Sequence, residues 1–234
     1  MNANLVDYRN KSLFEELNKK YTISIKIVND AQFYSAESIN NTSTIFVPRS
    51  NFCKASFTHE LLHIYIRSKD IFMGSFLSRK ISSSKYLSKV FSNRLVDHIG
   101  NCLDHLKMLP IYLELGYEKN KFLFDFAQNK CTDQEIKSIK DQWNIGNNIS
   151  KQAFDLYLGK YFAATSCPNH KFDYDECLNS LKSINSELYS INEKLTTRWQ
   201  AMKIDPDDFL DDDYIDIGSD YIKEMEDWVS INFA

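Results

Sequence analysis

The run Phe57-Thr58-His59-Glu60-Leu61-Leu62-His63-Ile64-Tyr65-Ile66 constrains this chain more than any other stretch. Apolar residues at 57, 61, 62, 64 and 66 cover most of a helix's circumference, which predicts a helix threaded through a core. On that helix His59 and His63 lie one turn apart on the same face. They form an H-E-x-x-H motif: two imidazoles can reach one tetrahedral Zn²⁺, with Glu60 beside the metal's open position. Two core histidines satisfied by ordinary hydrogen bonds are the plainer alternative.

The flanking segments predict an α+β fold. It is mostly helical, with a small N-terminal β-sheet packed on the motif helix and a helical C-terminal half. Residues 5–20 read as a helix. In 21–28, Ile23, Ile25 and Ile27 alternate with Thr22, Ser24 and Lys26, the period of a half-buried strand. A short strand is expected at 32–36 and another at Ser43–Pro48, where the proline suits a sheet edge. Such an edge beside a metal can hold an extended peptide as an added strand. The motif helix is expected over 53–68. After a polar, Ser-rich connection at 70–84, a long helix is expected over 85–109, ending at Pro110.

Further on, Thr132-Asp-Gln-Glu135 is a capping-box pattern that opens a helix through Trp143. Helices are also expected at 149–165, 174–202 and 218–229. The apolar positions Cys177, Leu181, Ile184, Leu188, Ile191, Leu195, Trp199 and Met202 step by three and four, close to a heptad seam. Six Gly and four Pro in 234 residues fit this helix-rich reading. The expected organisation is a metal-site core at 1–115, a helical subdomain at 116–202 packed on it, and an acidic tail with a final helix at 203–234.

Charge is unevenly spread. Residues 203–227 hold eleven acids against Lys203 and Lys223, so the rest of the chain carries +5 while the whole carries −4. The tail could fold onto the basic body and restrain it, act as a solubilising surface, or dock a partner. No Lys/Arg cluster is interleaved with aromatics, so nucleic-acid binding is not expected. No long apolar run or leader pattern is visible, so neither a membrane span nor secretion is expected. Five cysteines without a disulfide rhythm point to a reducing, cytoplasmic setting. Cys167, His170 and Cys177 lack a fourth ligand and read as a loop rather than a second metal site.

Two histidines under-coordinate zinc, since hydrolytic sites use three protein ligands and a water. Asp97, His98, Asp104 and His105 compete for the third place. His98 and His105 are about two turns apart, roughly 10 Å, so they cannot share one ion. His105 is favoured because it borders the apolar stripe of its helix, with Asn101 one turn earlier to orient an imidazole. Tyr112 and Tyr117 follow as candidate donors to a developing oxyanion.

At these residues the chain resembles the zincin metallopeptidases, in particular the gluzincin-like H-E-x-x-H proteins, over residues 20–115. The segment Asn101–Pro110 is also faintly similar to the second motif of ImmA/IrrE-type peptidases, although Ile99 stands where those carry an acidic ligand. The resemblance implies peptide hydrolysis by a Zn²⁺-activated water with Glu60 as general base and His59, His63 and a third residue as ligands. A specific intracellular protein would be the target. The competing expectation is a catalytically inactive zincin-like scaffold, recognising a protein partner through its long C-terminal helix or acidic tail. A metal hydrolase acting on another bond is a third.

Overall fold

The computed structural model describes residues 5–145, 148–205 and 213–233. The fold is α+β and predominantly helical. By internal packing the chain divides into two compact units, residues 1–71 with 107–127 and residues 72–106 with 128–234.

In the first unit, α1 (Lys11–Lys20) begins later than its apolar pattern predicts, because residues 5–10 form turns. Three strands follow: β1 (Thr22–Val28), β2 (Ser35–Ile39) and β3 (Thr42–Pro48). The sheet order is β1-β3-β2, with β1 parallel and β2 antiparallel to β3. This corrects the expectation of an edge at Ser43–Pro48. β3 is the central strand, with Ser43, Ile45 and Val47 buried. Pro48 is tolerated there because it is the strand's last residue, where a missing N–H interrupts no ladder. The edges are β1 and β2. Asn40 turns the β2–β3 hairpin with φ +51°, a left-handed conformation that asparagine adopts more readily than most residues.

α2 (Lys54–Ser68) carries the H-E-x-x-H motif, and its apolar girdle of Phe57, Leu61, Leu62, Ile64 and Ile66 is buried. It packs on α1, β2 and β3. No residue of the helix is exposed.

Among its described residues the second unit is helical apart from a two-stranded ladder, β4 (Asn144–Ile145) with β5 (Asn148–Ile149). The Ser-rich stretch read as a connection contains α3 (Met73–Ser83), whose Met73, Phe76, Leu77 and Ile81 form a buried stripe at helical spacing. The helix expected over 85–109 is two: α4 (Leu87–Val90), then α5 (Asn93–Glu114). Pro110 lies inside α5 instead of ending it. α5 is continuous across the division of the chain, which falls after Leu106.

α6 (Asp133–Gln142) opens with the expected capping box: Thr132 Oγ1 accepts from the Glu135 N–H, and the Glu135 carboxylate accepts from the Thr132 N–H. α7 (Lys151–Thr165) is capped by Ser150. The single helix expected over 174–202 is α8 (Asp175–Ile184) and α9 (Ser186–Ala201). Asn185 breaks it in extended conformation and caps α9, its Oδ1 accepting from the Leu188 N–H at 2.8 Å. Leu181, Leu188, Leu195 and Trp199 of the heptad-like stripe are buried within this unit, so they are core and not an open seam. α10 (Tyr214–Asn232), capped by Asp213, packs on α9 and α3. Residues 206–212 of the expected acidic tail lie outside the described part of the chain.

Cys131 and Cys177 form a disulfide. This corrects the reading of unpaired cysteines: it takes Cys177 from the loop with Cys167 and His170, and it removes the cysteine-based argument for a reducing compartment. No helix among the described residues is long and apolar enough to cross a membrane.

Candidate metal centre

The helical repeat of α2 sets His59 and His63 with their ring centroids 5.1 Å apart and planes at 69°. Each of His59, His63 and His105 offers a ring nitrogen, and the three nitrogens lie within 4.8 Å of one another. Zinc–nitrogen bonds of about 2.0–2.1 Å in a tetrahedron put the nitrogens about 3.4 Å apart. Three nitrogens so grouped could hold one ion. His59 and His63 are half-buried and His105 is buried.

The donor chemistry fits a cation as well. Burial and the neighbouring His63 hold the His59 pKa well below its ordinary value, opposed by a hydrogen bond with the Phe122 main chain. That direction favours the neutral imidazole, the form that ligates metals. Glu60 is 8% exposed, and burial raises its pKa while His63 lowers it less.

Among the competitors for the third place, His98 Nε2 lies 3.1 Å from the Gly159 carbonyl oxygen on α7, so its ring is engaged within the second unit. Asp97 is exposed, and Asp104 is half-buried. Asn101, expected to orient an imidazole, is exposed too. The residue that does hold an imidazole is one the motif does not disclose. Phe122 packs its ring 4.8 Å from that of His59 and binds it through the main chain. A main-chain partner supplied by a loop leaves no side-chain signature. The only hint is the density of aromatics at Phe122, Phe124 and Phe126.

The two tyrosines singled out earlier differ sharply. Tyr117 donates its hydroxyl to Asp7 Oδ1 at 3.3 Å and lies under the Arg9 guanidinium, 4.0 Å from the ring centroid. Tyr112 is fully buried, stacked on Tyr117 at 5.1 Å and edge-on to Phe122 at 5.0 Å, and burial raises its pKa. Its hydroxyl makes no hydrogen bond among the described residues.

No family model, curated protein or solved structure matches this chain.

Proposed function

We propose that the chain is a zinc-dependent peptidase. The observation that carries this reading is the juxtaposition of His59, His63 and His105 on α2 and α5, with buried Glu60 next to His59 on the motif helix. The three imidazoles would hold Zn²⁺, which supplies Lewis acidity and water activation at neutral pH. Glu60 serves as general base: its apolar surroundings make its carboxylate a better proton acceptor than an exposed one. Phe122 orients His59 through its main chain and excludes water from one side of the ring. Of the two tyrosines, Tyr112 is the one with a hydroxyl left to donate to an oxyanion, since it makes no hydrogen bond among the described residues while that of Tyr117 is committed to Asp7. An extended substrate would add to the sheet at β2, the antiparallel edge strand, not at β3.

The scaffold alternative draws on the heptad-like stripe and the acidic tail; burial of Leu181, Leu188, Leu195 and Trp199 favours the peptidase over it. The test is zinc per chain in the wild type and in His59→Ala, His63→Ala and His105→Ala, with peptide cleavage by the wild type and Glu60→Gln. The peptidase predicts stoichiometric zinc lost in each histidine variant, and a Glu60→Gln protein that keeps zinc without cleaving. A folded wild type that takes up no zinc returns the scaffold to first place.

A further inference from the structure

Beyond the metal centre, the first unit exposes two aromatic rings in contact with each other. Phe33 is 48% exposed and Phe124 is 74% exposed, with ring centroids 4.1 Å apart at 37°. Single exposed apolar side chains are ordinary, whereas a contiguous aromatic patch marks a place where something docks.

Both rings hang from segments tied to the metal helix. Phe124 comes two residues after Phe122, whose ring packs on His59. With 3.8 Å between consecutive Cα atoms, the Cα of Phe124 is at most about 7.6 Å from that of Phe122. That span is covered by about two residues of an extended peptide. Phe33 is held from the other side: its neighbour Tyr34 donates its hydroxyl to the Asn51 carbonyl at 2.7 Å and accepts from the Cys53 N–H at 2.8 Å. Asn51 and Cys53 flank the half-exposed Phe52 and lead directly into α2. Two residues beyond Phe33 begins β2, the edge strand, whose side chains alternate between exposed and half-buried. The pair therefore sits where an extended segment laid along β2 would run off the strand's start.

We propose that Phe33 and Phe124 form the specificity surface of this site, taking a large apolar side chain of a peptide that lies along β2. The proposal rests on the peptidase reading for its substrate. The occupant is taken to be an extended peptide because Phe33 lies two residues before the edge strand β2 and Phe124 two residues after Phe122, whose ring packs on His59.

The test separates binding from catalysis. Full-length Glu60→Gln protein, immobilised, is equilibrated with a dodecapeptide mixture that is random except for a central Phe, Leu, Ser or Asp. Burying one such side chain predicts about tenfold enrichment of the Phe and Leu peptides over Ser and Asp. Phe33→Ser and Phe124→Ser should each lose that enrichment with zinc content and circular dichroism unchanged. Equal retention of all four peptides by the parent, or undiminished enrichment in both Ser variants, overturns the proposal. So does a dimer-to-monomer change in sedimentation of the Ser variants, which would make the patch a self-association surface. Apolar enrichment in a wild type that neither holds zinc nor cleaves peptide would sink the peptidase reading and leave the recognition surface standing.

Discussion

The Asn10 side-chain amide donates to Thr58 Oγ1 at 2.9 Å, and both side chains are fully buried. The same amide donates to the Leu5 carbonyl at 3.0 Å, and Asn10 Oδ1 accepts from the Asp7 N–H at 2.8 Å. Thr58 Oγ1 in turn donates to the Lys54 carbonyl at 2.8 Å. One residue before His59, the motif helix is thus fastened to the start of the chain by a saturated polar network. Asn10→Ala leaves buried groups unpaired and should cost about 1–3 kcal/mol. Urea unfolding of wild type and variant checks this, and an unchanged midpoint would show the network to be incidental.

A pH-dependent ion pair supports the same corner. Asp7 accepts from Arg9 Nε at 3.1 Å and Nη2 at 2.7 Å, and this pairing holds its pKa below the ordinary 3.8. A depressed folded pKa contributes stability that is full above 3.8 and is lost as pH falls through the folded value. Wild type should therefore exceed Asp7→Asn in stability at neutral pH. The gap should narrow when both are unfolded by urea below pH 3.8. A constant gap would mean that Asp7 acts through shape and not charge.

Metal removal gives a third expectation. A ligand that binds only the folded state, present at a hundred times its dissociation constant, adds about 2.7 kcal/mol. Zinc should raise Tm and a chelator should reverse the rise. His105→Ala should abolish the zinc-induced rise, and His98→Ala should retain it because that ring is engaged with the Gly159 carbonyl. The opposite pattern would exchange their roles.

Two helical glycines should respond with opposite signs. A Cβ on Gly100 of α5 would fall 2.9 Å from the Gly74 Cα of α3, backbone against backbone, whereas one on Gly159 of α7 meets nothing within 4 Å. Gly100→Ala should destabilise by about 1–3 kcal/mol through overpacking. Gly159→Ala should stabilise by about 0.5–1 kcal/mol through helix propensity. Thermal unfolding of the pair decides whether α3 and α5 cross as closely as described.

The Cys131–Cys177 disulfide closes a separation of 46 residues, from the start of α6 to α8. Its loss in a Cys131→Ser/Cys177→Ser double variant should cost about 2–4 kcal/mol. Alkylation of unfolded, unreduced protein should label Cys53, Cys102 and Cys167 and spare the other two. Five labelled thiols would show the pair to be reduced.

Features with a local cause were legible in the sequence. The motif helix is announced by its girdle of Phe57, Leu61, Leu62, Ile64 and Ile66, β1 by the alternation at Ile23, Ile25 and Ile27, and α6 by the Thr132–Glu135 box. Each rests on contacts three or four residues away or on a two-residue period, so neighbours in sequence suffice to specify it. Non-local features were not legible. Pro48 reads as an edge signal because it lacks an N–H, yet β3 is central, and nothing within the strand says which neighbours pair with it. Asn185 interrupts an unbroken apolar stripe in an extended conformation and caps α9 with its side chain, which apolar spacing alone does not reveal.

For the candidate site, the motif names His59, Glu60 and His63 by itself, because one helical turn brings them together. His98 and His105 differ only in where tertiary structure sends them. One ring lies by the Gly159 carbonyl, the other's nitrogen within 4.8 Å of those of His59 and His63. Phe122 and the exposed Phe33–Phe124 contact arise from residues up to 91 positions apart in the chain. Local periodicity determines which face a side chain occupies. Only the packing of distant segments decides what that face meets.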